Sequence, residues 1–248
     1  MNPESLQSAA LPARHGFVTR RGGVSTGPFA SLNCSLSSQD APEAVAANRA
    51  AVARAMGAEH LLGLHQVHGG GVVTVTEPWR PGAGPRADAL VTDRPGLALG
   101  VITADCTPVL LADPKAGVIG AVHAGWRGAV AGVLEATIAA MEALGAARAR
   151  TVAAIGPCIR QKSYEVRADL RDAVLARDPA DARFFTEGRP EHWQFDLAGY
   201  CARRLHGIQA VDVLDGDTAA EPERFFSHRR RTLEGSFPIG HQVSAIVL

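Results

Sequence analysis

The chain has 248 residues, 46% of them hydrophobic, and its 25 basic and 25 acidic side chains cancel to a formal net charge of zero. That balance excludes the strong positive field of a dedicated nucleic-acid binder. No run reaches the roughly 18 apolar residues of a membrane helix, because Asp105 and His123 interrupt the best candidates.

The N-terminus lacks a basic region followed by an apolar run, so no signal peptide is expected. Cys34, Cys106, Cys158 and Cys201 lie far apart and form no Cys-x-x-Cys pair. Such spacing argues against a secreted disulfide framework and for reduced thiols in the cytoplasm. Residues 1–15 are expected to be a flexible start, and residues 16–248 a single domain.

The first expected strand covers 16–19. The segment Arg20-Arg21-Gly22-Gly23 after it offers two charged forks and turnable backbone amides, which suits an anion cradle, although a solvated turn explains it as well. Asp40, followed by Glu43, reads as the cap of a helix ending at Gly57. Residues 65–71 carry three glycines and read as a loop, followed by strands over 72–76 and 87–91. Three apolar runs, 97–103, 109–112 and 118–123, have the length and β-branched content of strands buried on both faces. An Ala-rich helix is expected over 129–144, closed by Gly145. Beyond it come a strand at 151–155, helices at 168–177 and 195–206, and strands at 210–214 and 243–247. Interleaved helices and strands of this kind make a mixed α/β fold.

The chemistry concentrates between His65 and Gly128. Cys34 and Cys201 read as small core hydrophobes, and Trp126 as a packing residue. Cys106 differs, because it stands beside Asp105 at a strand-to-strand junction. His123 ends an apolar run, and His68 precedes a glycine run. Structural zinc sites use close ligand pairs. Here the intervals from 68 to 106 and from 106 to 123 are wide, as in sites assembled by converging strands. Three protein ligands with an open position let a metal activate water. A metal-free Cys106–His123 dyad acting as a thiol amidohydrolase fits the same residues. Copper is the weaker alternative: Met56 and Met141 are the internal methionines, both in expected helices, and the nine histidines contain no His-x-His pair.

Several blocks together resemble the YfiH-type family, also described as laccase-domain or polyphenol oxidase-like proteins. They are Thr19-Arg20 with Gly22-Gly23-Val24-Ser25, Ser31-Leu32-Asn33, Asn48-Arg49, Gln66-Val67-His68-Gly69 and Asp88-Ala89-Leu90-Val91-Thr92. Thr103-Ala104-Asp105-Cys106-Thr107-Pro108, His123-Ala124-Gly125-Trp126-Arg127-Gly128 and Gly156-Pro157-Cys158-Ile159 complete them. The resemblance implies a layered α-β sandwich with a mixed sheet, comparable to cysteine hydrolases. It implies a zinc site at His68, Cys106 and His123, and drops His65. It also implies phosphorolysis of adenosine, inosine and methylthioadenosine, together with adenosine deamination. The partners are then purine nucleosides and phosphate, handled by a monomer or homodimer. Within that frame Asp105 and Asp88 are the acidic candidates. Arg20 and Arg127 are expected to hold phosphate, with Asn33 and Gln66 as neutral hydrogen-bonding groups. The chain departs from the family pattern after Asn33 and at His228-Arg229-Arg230, where Tyr-Arg-Arg is usual.

Overall fold

The computed structural model describes residues 1–235 and 238–248. The chain opens with β1 (Ser5–Leu6), β2 (Arg14–Val18), α1 (Pro42–Ala55) and β3 (His60–Leu62). It continues through β4 (Val72–Thr74), β5 (Ala89–Thr92), β6 (Leu97–Thr103), β7 (Thr107–Asp113) and β8 (Val118–Ala124). Helices α2 (Trp126–Ala131) and α3 (Val133–Ala143) precede β9 (Val152–Ile155), β10 (Glu165–Val166) and α4 (Ala168–Arg177). The last elements are β11 (Phe185–Glu187), β12 (Trp193–Phe195), α5 (Leu197–Arg204), β13 (Ala210–Val213), α6 (His228–Glu234) and β14 (Gln242–Val247).

The strands form two large sheets and one small one. The five-stranded sheet has the order β1-β2-β14-β6-β3, and the six-stranded sheet β13-β9-β7-β8-β5-β4. Both are mixed: β3–β6, β4–β5 and β13–β9 are parallel and the remaining pairs antiparallel. The period-2 alternation of each strand builds the layers. Leu97, Leu99 and Val101 of β6 meet Leu110 of β7 and Ile119 of β8 in a core between the two large sheets. The intervening residues point outward. Ala98 packs with Val52 and Met56 beneath α1, while Val109, Leu111 and Val122 face Ile138 of α3 and Leu197 of α5. The result is a layered α-β sandwich, and no described helix is long and apolar enough to cross a membrane.

Four expectations need correction. The start of the chain is not free of structure, since Ser5 and Leu6 pair with Val18 and Phe17. Asp40 does not cap α1, whose N-cap is Ala41 with no side-chain bond; its carboxylate instead accepts from Ser25 and Asn33. The expected helix over 129–144 begins earlier and breaks at Gly132, whose φ of 90° ends α2 and opens α3. Finally, the sequence reading lacks α6, which is short and rich in charge, and the small sheet β10-β12-β11, whose strands have only two or three residues each.

Two crossings position the site. Strand β6 belongs to the five-stranded sheet and β7 to the six-stranded one. The turn 104–106 therefore carries Cys106 from one sheet to the other. His123 ends β8 beside it, because Pro108 pairs with His123 and Thr107 with Ala124.

Candidate metal centre

His68, Cys106 and His123 converge: one ligand atom from each lies within 4.8 Å of the others. The two imidazoles stand edge to face, with ring centroids 4.7 Å apart. His123 is buried, Cys106 half-buried and His68 exposed, so the cluster opens to one side. Two nitrogens and a sulfur suit a borderline-soft transition metal such as zinc or copper. Among the described residues this is the one such group.

The cluster is braced from behind by Asp88. Its Oδ1 accepts from His123 Nδ1 at 2.8 Å and from the His68 amide at 2.9 Å. Its Oδ2 accepts from the Gly69 amide at 2.6 Å. With Nδ1 engaged, His123 turns Nε2 toward the cluster, the carboxylate–histidine arrangement common behind metals. Burial pushes the Asp88 carboxyl up, but His123 and the backbone amides outweigh it and hold it below the ordinary carboxylate range. Burial likewise pushes the Cys106 thiol up, yet His123 and His68 prevail and bring it down to about 6. Against its own desolvation, His123 rises to about 9 through Cys106 and Asp88.

Backbone constraints hold the ligands in place. His68 and Asp105 adopt φ values of 59° and 97°, a region non-glycine residues seldom occupy, and both flank the centre. Gly125 leaves the ligands room: a Cβ there would lie 2.9 Å from Cys106 Sγ and 3.1 Å from His68 Cδ2.

The centre lies in a cavity of about 630 Å3. Of the candidate site residues, Gln66, Asp105 and Arg127 join the three cluster residues in its lining, and so do Cys34, His65 and Trp126, which the sequence reading sets aside. The Arg127 guanidinium stacks over Trp126 at 4.4 Å, so Trp126 both packs and faces the cavity. The Gln66 amide is paired twice with the Ile102 backbone, at 2.8 Å each way, which pins the loop 63–71 to β6. Asp105 is tied to the fold while lining the cavity. Its oxygens accept from Thr218 Oγ1 and from the Arg229 amide, both at 2.6 Å, and so anchor the start of α6. Asp88, expected beside the substrate, is fully buried and fully bonded behind the ligands.

Two expected substrate residues are not brought to the centre. Arg20 lines a separate small cavity, donates to Ala30 and Pro222 carbonyls and stacks over Phe226 at 4.4 Å. Its neighbouring amides are also taken, Gly23 by Ser31 and Val24 by Asn48, so no anion cradle forms. Asn33 is wholly buried. It donates to Ser38 and Asp40 and accepts from the Ser35 and His241 amides. Cys158 is buried outside the cavity lining, and burial raises its thiol to about 11.

The lining also includes Thr103, Tyr164, His228, Arg229 and His241. Of these, Thr103 belongs to the Ala-Asp-Cys block and His228 and Arg229 to the departure from the family pattern, whereas the sequence reading misses Tyr164 and His241; His241 has a usable signal, a histidine one residue ahead of a largely apolar run.

Known proteins resemble this chain along most of its length. Residues 14–248 match the family model described as multi-copper polyphenol oxidoreductase laccase. A Streptomyces griseus protein named purine nucleoside phosphorylase ORF3 is 49% identical over 203 residues, 81% of each chain. A Deinococcus radiodurans purine nucleoside phosphorylase is 42% identical over 229 residues, 91% of this chain and 87% of its own. Among solved structures, a Neisseria meningitidis protein superposes with a TM-score of 0.89 at 35% identity, covering 100% of this chain and 99% of its own. YfiH of Bacillus licheniformis gives 0.87 at 30% identity, over 94% of this chain and 92% of its own. The chain thus belongs to the laccase-domain family that its Ala-Asp-Cys and His-Ala-Gly-Trp-Arg-Gly blocks resemble, the YfiH-type proteins.

Proposed function

We propose that this chain is a zinc-dependent purine nucleoside phosphorylase acting on adenosine, inosine and methylthioadenosine, with a secondary adenosine deaminase activity. The observation that carries the reading is the convergence of His68, Cys106 and His123 in a cavity large enough for a small metabolite. The names of the Streptomyces and Deinococcus relatives supply the substrate class. Zinc, when bound, supplies a Lewis acid beside the substrate.

The chain's own groups divide the remaining work. Phosphorolysis forms a bond from a phosphate oxygen to the ribose anomeric carbon. It breaks the glycosidic bond, and the departing purine nitrogen takes the electron pair and a proton. Arg127 and Arg229 line the cavity as cations for the phosphate. Asp88 orients His123, and Asp105 holds Arg229 in place through its amide. Tyr164 and Trp126 offer flat faces to a purine.

A thiol amidohydrolase remains the second reading, because Asp88, His123 and Cys106 also line up as orienter, base and nucleophile. The second imidazole, His68, favours ligation: a dyad needs one histidine, and this thiol has two. Copper oxidase chemistry is disfavoured by the same donor set. Among the described residues a single three-ligand group stands where a multicopper enzyme needs several sites.

The test is to incubate metal-quantified protein with inosine or adenosine, with and without phosphate, and to follow free base, inosine and ribose 1-phosphate. Base release that needs phosphate and matches ribose 1-phosphate one for one is expected. Release at the same rate without phosphate, or no turnover, would reject the assignment.

A further inference from the structure

Two side-chain polar atoms on cavity-lining residues lack a hydrogen-bond partner among the described residues. Thr103 is 2% exposed, and its Oγ1 has no hydrogen-bond partner among the described residues. The Nδ1 of His241 is also buried and unpartnered. Both residues line the cavity that holds His68, Cys106 and His123. They sit at the same end of the five-stranded sheet, because Gln242 pairs with Thr103 across β14 and β6. Buried polar atoms are nearly always satisfied, so unsatisfied ones on residues that line a cavity point to a ligand as the missing partner.

His241 is also held firmly. Its amide donates to Asn33 Oδ1 at 3.0 Å, and its carbonyl accepts from the Cys34 amide at 3.0 Å. Such clamping fixes the backbone that carries the imidazole, whose Nδ1 is left without a partner among the described residues. We propose that Thr103 and His241 form a neutral subsite for the ribose hydroxyls of the nucleoside; this rests on the nucleoside reading above.

The chemistry of the two groups selects this part of the ligand. A hydroxyl and a neutral imidazole each both donate and accept, as a sugar diol requires. Burial, reinforced by His123, His228, Arg231 and His68, lowers His241 to about 4, so its ring carries no charge at neutral pH. Phosphate is better served by Arg127 and Arg229 in the same lining. The purine is better served by the flat faces of Trp126 and Tyr164.

The experiment compares inosine with 2′-deoxyinosine and 3′-deoxyinosine as substrates of the zinc-loaded protein and of T103V, H241L and H241N. Wild type is expected to favour inosine over at least one deoxynucleoside by about tenfold or more in kcat/KM, because a site built to bind a hydroxyl rejects its absence. T103V and H241L should each erase most of that preference by slowing inosine, with KM for phosphate unchanged. H241N should restore it, since an asparagine amide reaches the position of Nδ1. Equal losses on all three nucleosides, or a preference that survives in H241L and T103V, would overturn the subsite. So would a wild type that does not discriminate. A wild type that cleaves no nucleoside would overturn the nucleoside reading and the subsite with it.

Discussion

Cys106 owes its character to two imidazoles. Burial alone would keep the thiol protonated, yet His123 and His68 bring it to about 6. In metal-free protein the thiolate is therefore the main form above about pH 6 and is lost below it. Alkylation of the metal-free chain should stay fast at pH 7 and fall through pH 6, and zinc should block it; a rate that rises only near pH 9 would contradict this. Asp88 acts one step further back. An Asp88→Asn substitution turns an acceptor into a donor facing His123 Nδ1 or a backbone amide. Zinc affinity should drop about 10–100-fold, read by competition with a chelating dye. The family blocks made the convergence of His68, Cys106 and His123 legible in the sequence. They did not separate Arg20 and Asn33 from true cavity residues. A polar side chain satisfied by the chain's own carbonyls, as Arg20 is, reads the same as one awaiting a ligand, because its partners lie far away along the chain.

At the scale of elements, strands β6, β7 and β8 were legible because each is buried on both faces, and unbroken apolar runs advertise that. The α2–α3 break was not. Ala-rich sequence on both sides of Gly132 has helical propensity throughout, and only the αL turn at its φ of 90° divides it. Trp126 and Arg127, at the opposite end of α2, line the cavity, and Arg177 secures the turn by donating to the Ala129 and Val130 carbonyls. A Cβ at Gly132 would meet nothing closer than Arg177 at 3.7 Å, so the cost of Gly132→Ala is backbone strain alone. A loss of about 1–2 kcal/mol in denaturant unfolding is expected, with zinc content unchanged. Gly125→Ala should behave in the opposite way. Its Cβ would crowd Cys106 Sγ at 2.9 Å, so zinc content and turnover should fall at least about tenfold while the helix content by circular dichroism stays the same. Wild-type zinc content in that variant would show that the cradle yields.

For the molecule as a whole, the centre joins parts that no single layer connects. Cys106 lies on the turn between the two large sheets, His123 at the end of β8, and His68 on the loop before β4. The strand order of mixed sheets was illegible in the sequence, because pairing partners such as β14 and β6 are set by packing between distant segments rather than by local pattern. A metal bound to all three ligands ties the sheets together only in the folded state, so it stabilises the fold by mass action. At a thousandfold excess over its dissociation constant the gain is about 4 kcal/mol. For a chain of this size that corresponds to a rise in Tm of about 10 °C. Zinc-loaded protein should therefore melt about 10 °C above chelator-stripped protein in scanning calorimetry, and adding zinc back should restore the difference. Cys106→Ala should melt at the stripped temperature and ignore zinc, because two imidazoles cannot replace a three-ligand set. Identical melting of loaded, stripped and Cys106→Ala proteins would mean that the three side chains meet for another purpose, and would return the Cys106–His123 dyad to first place.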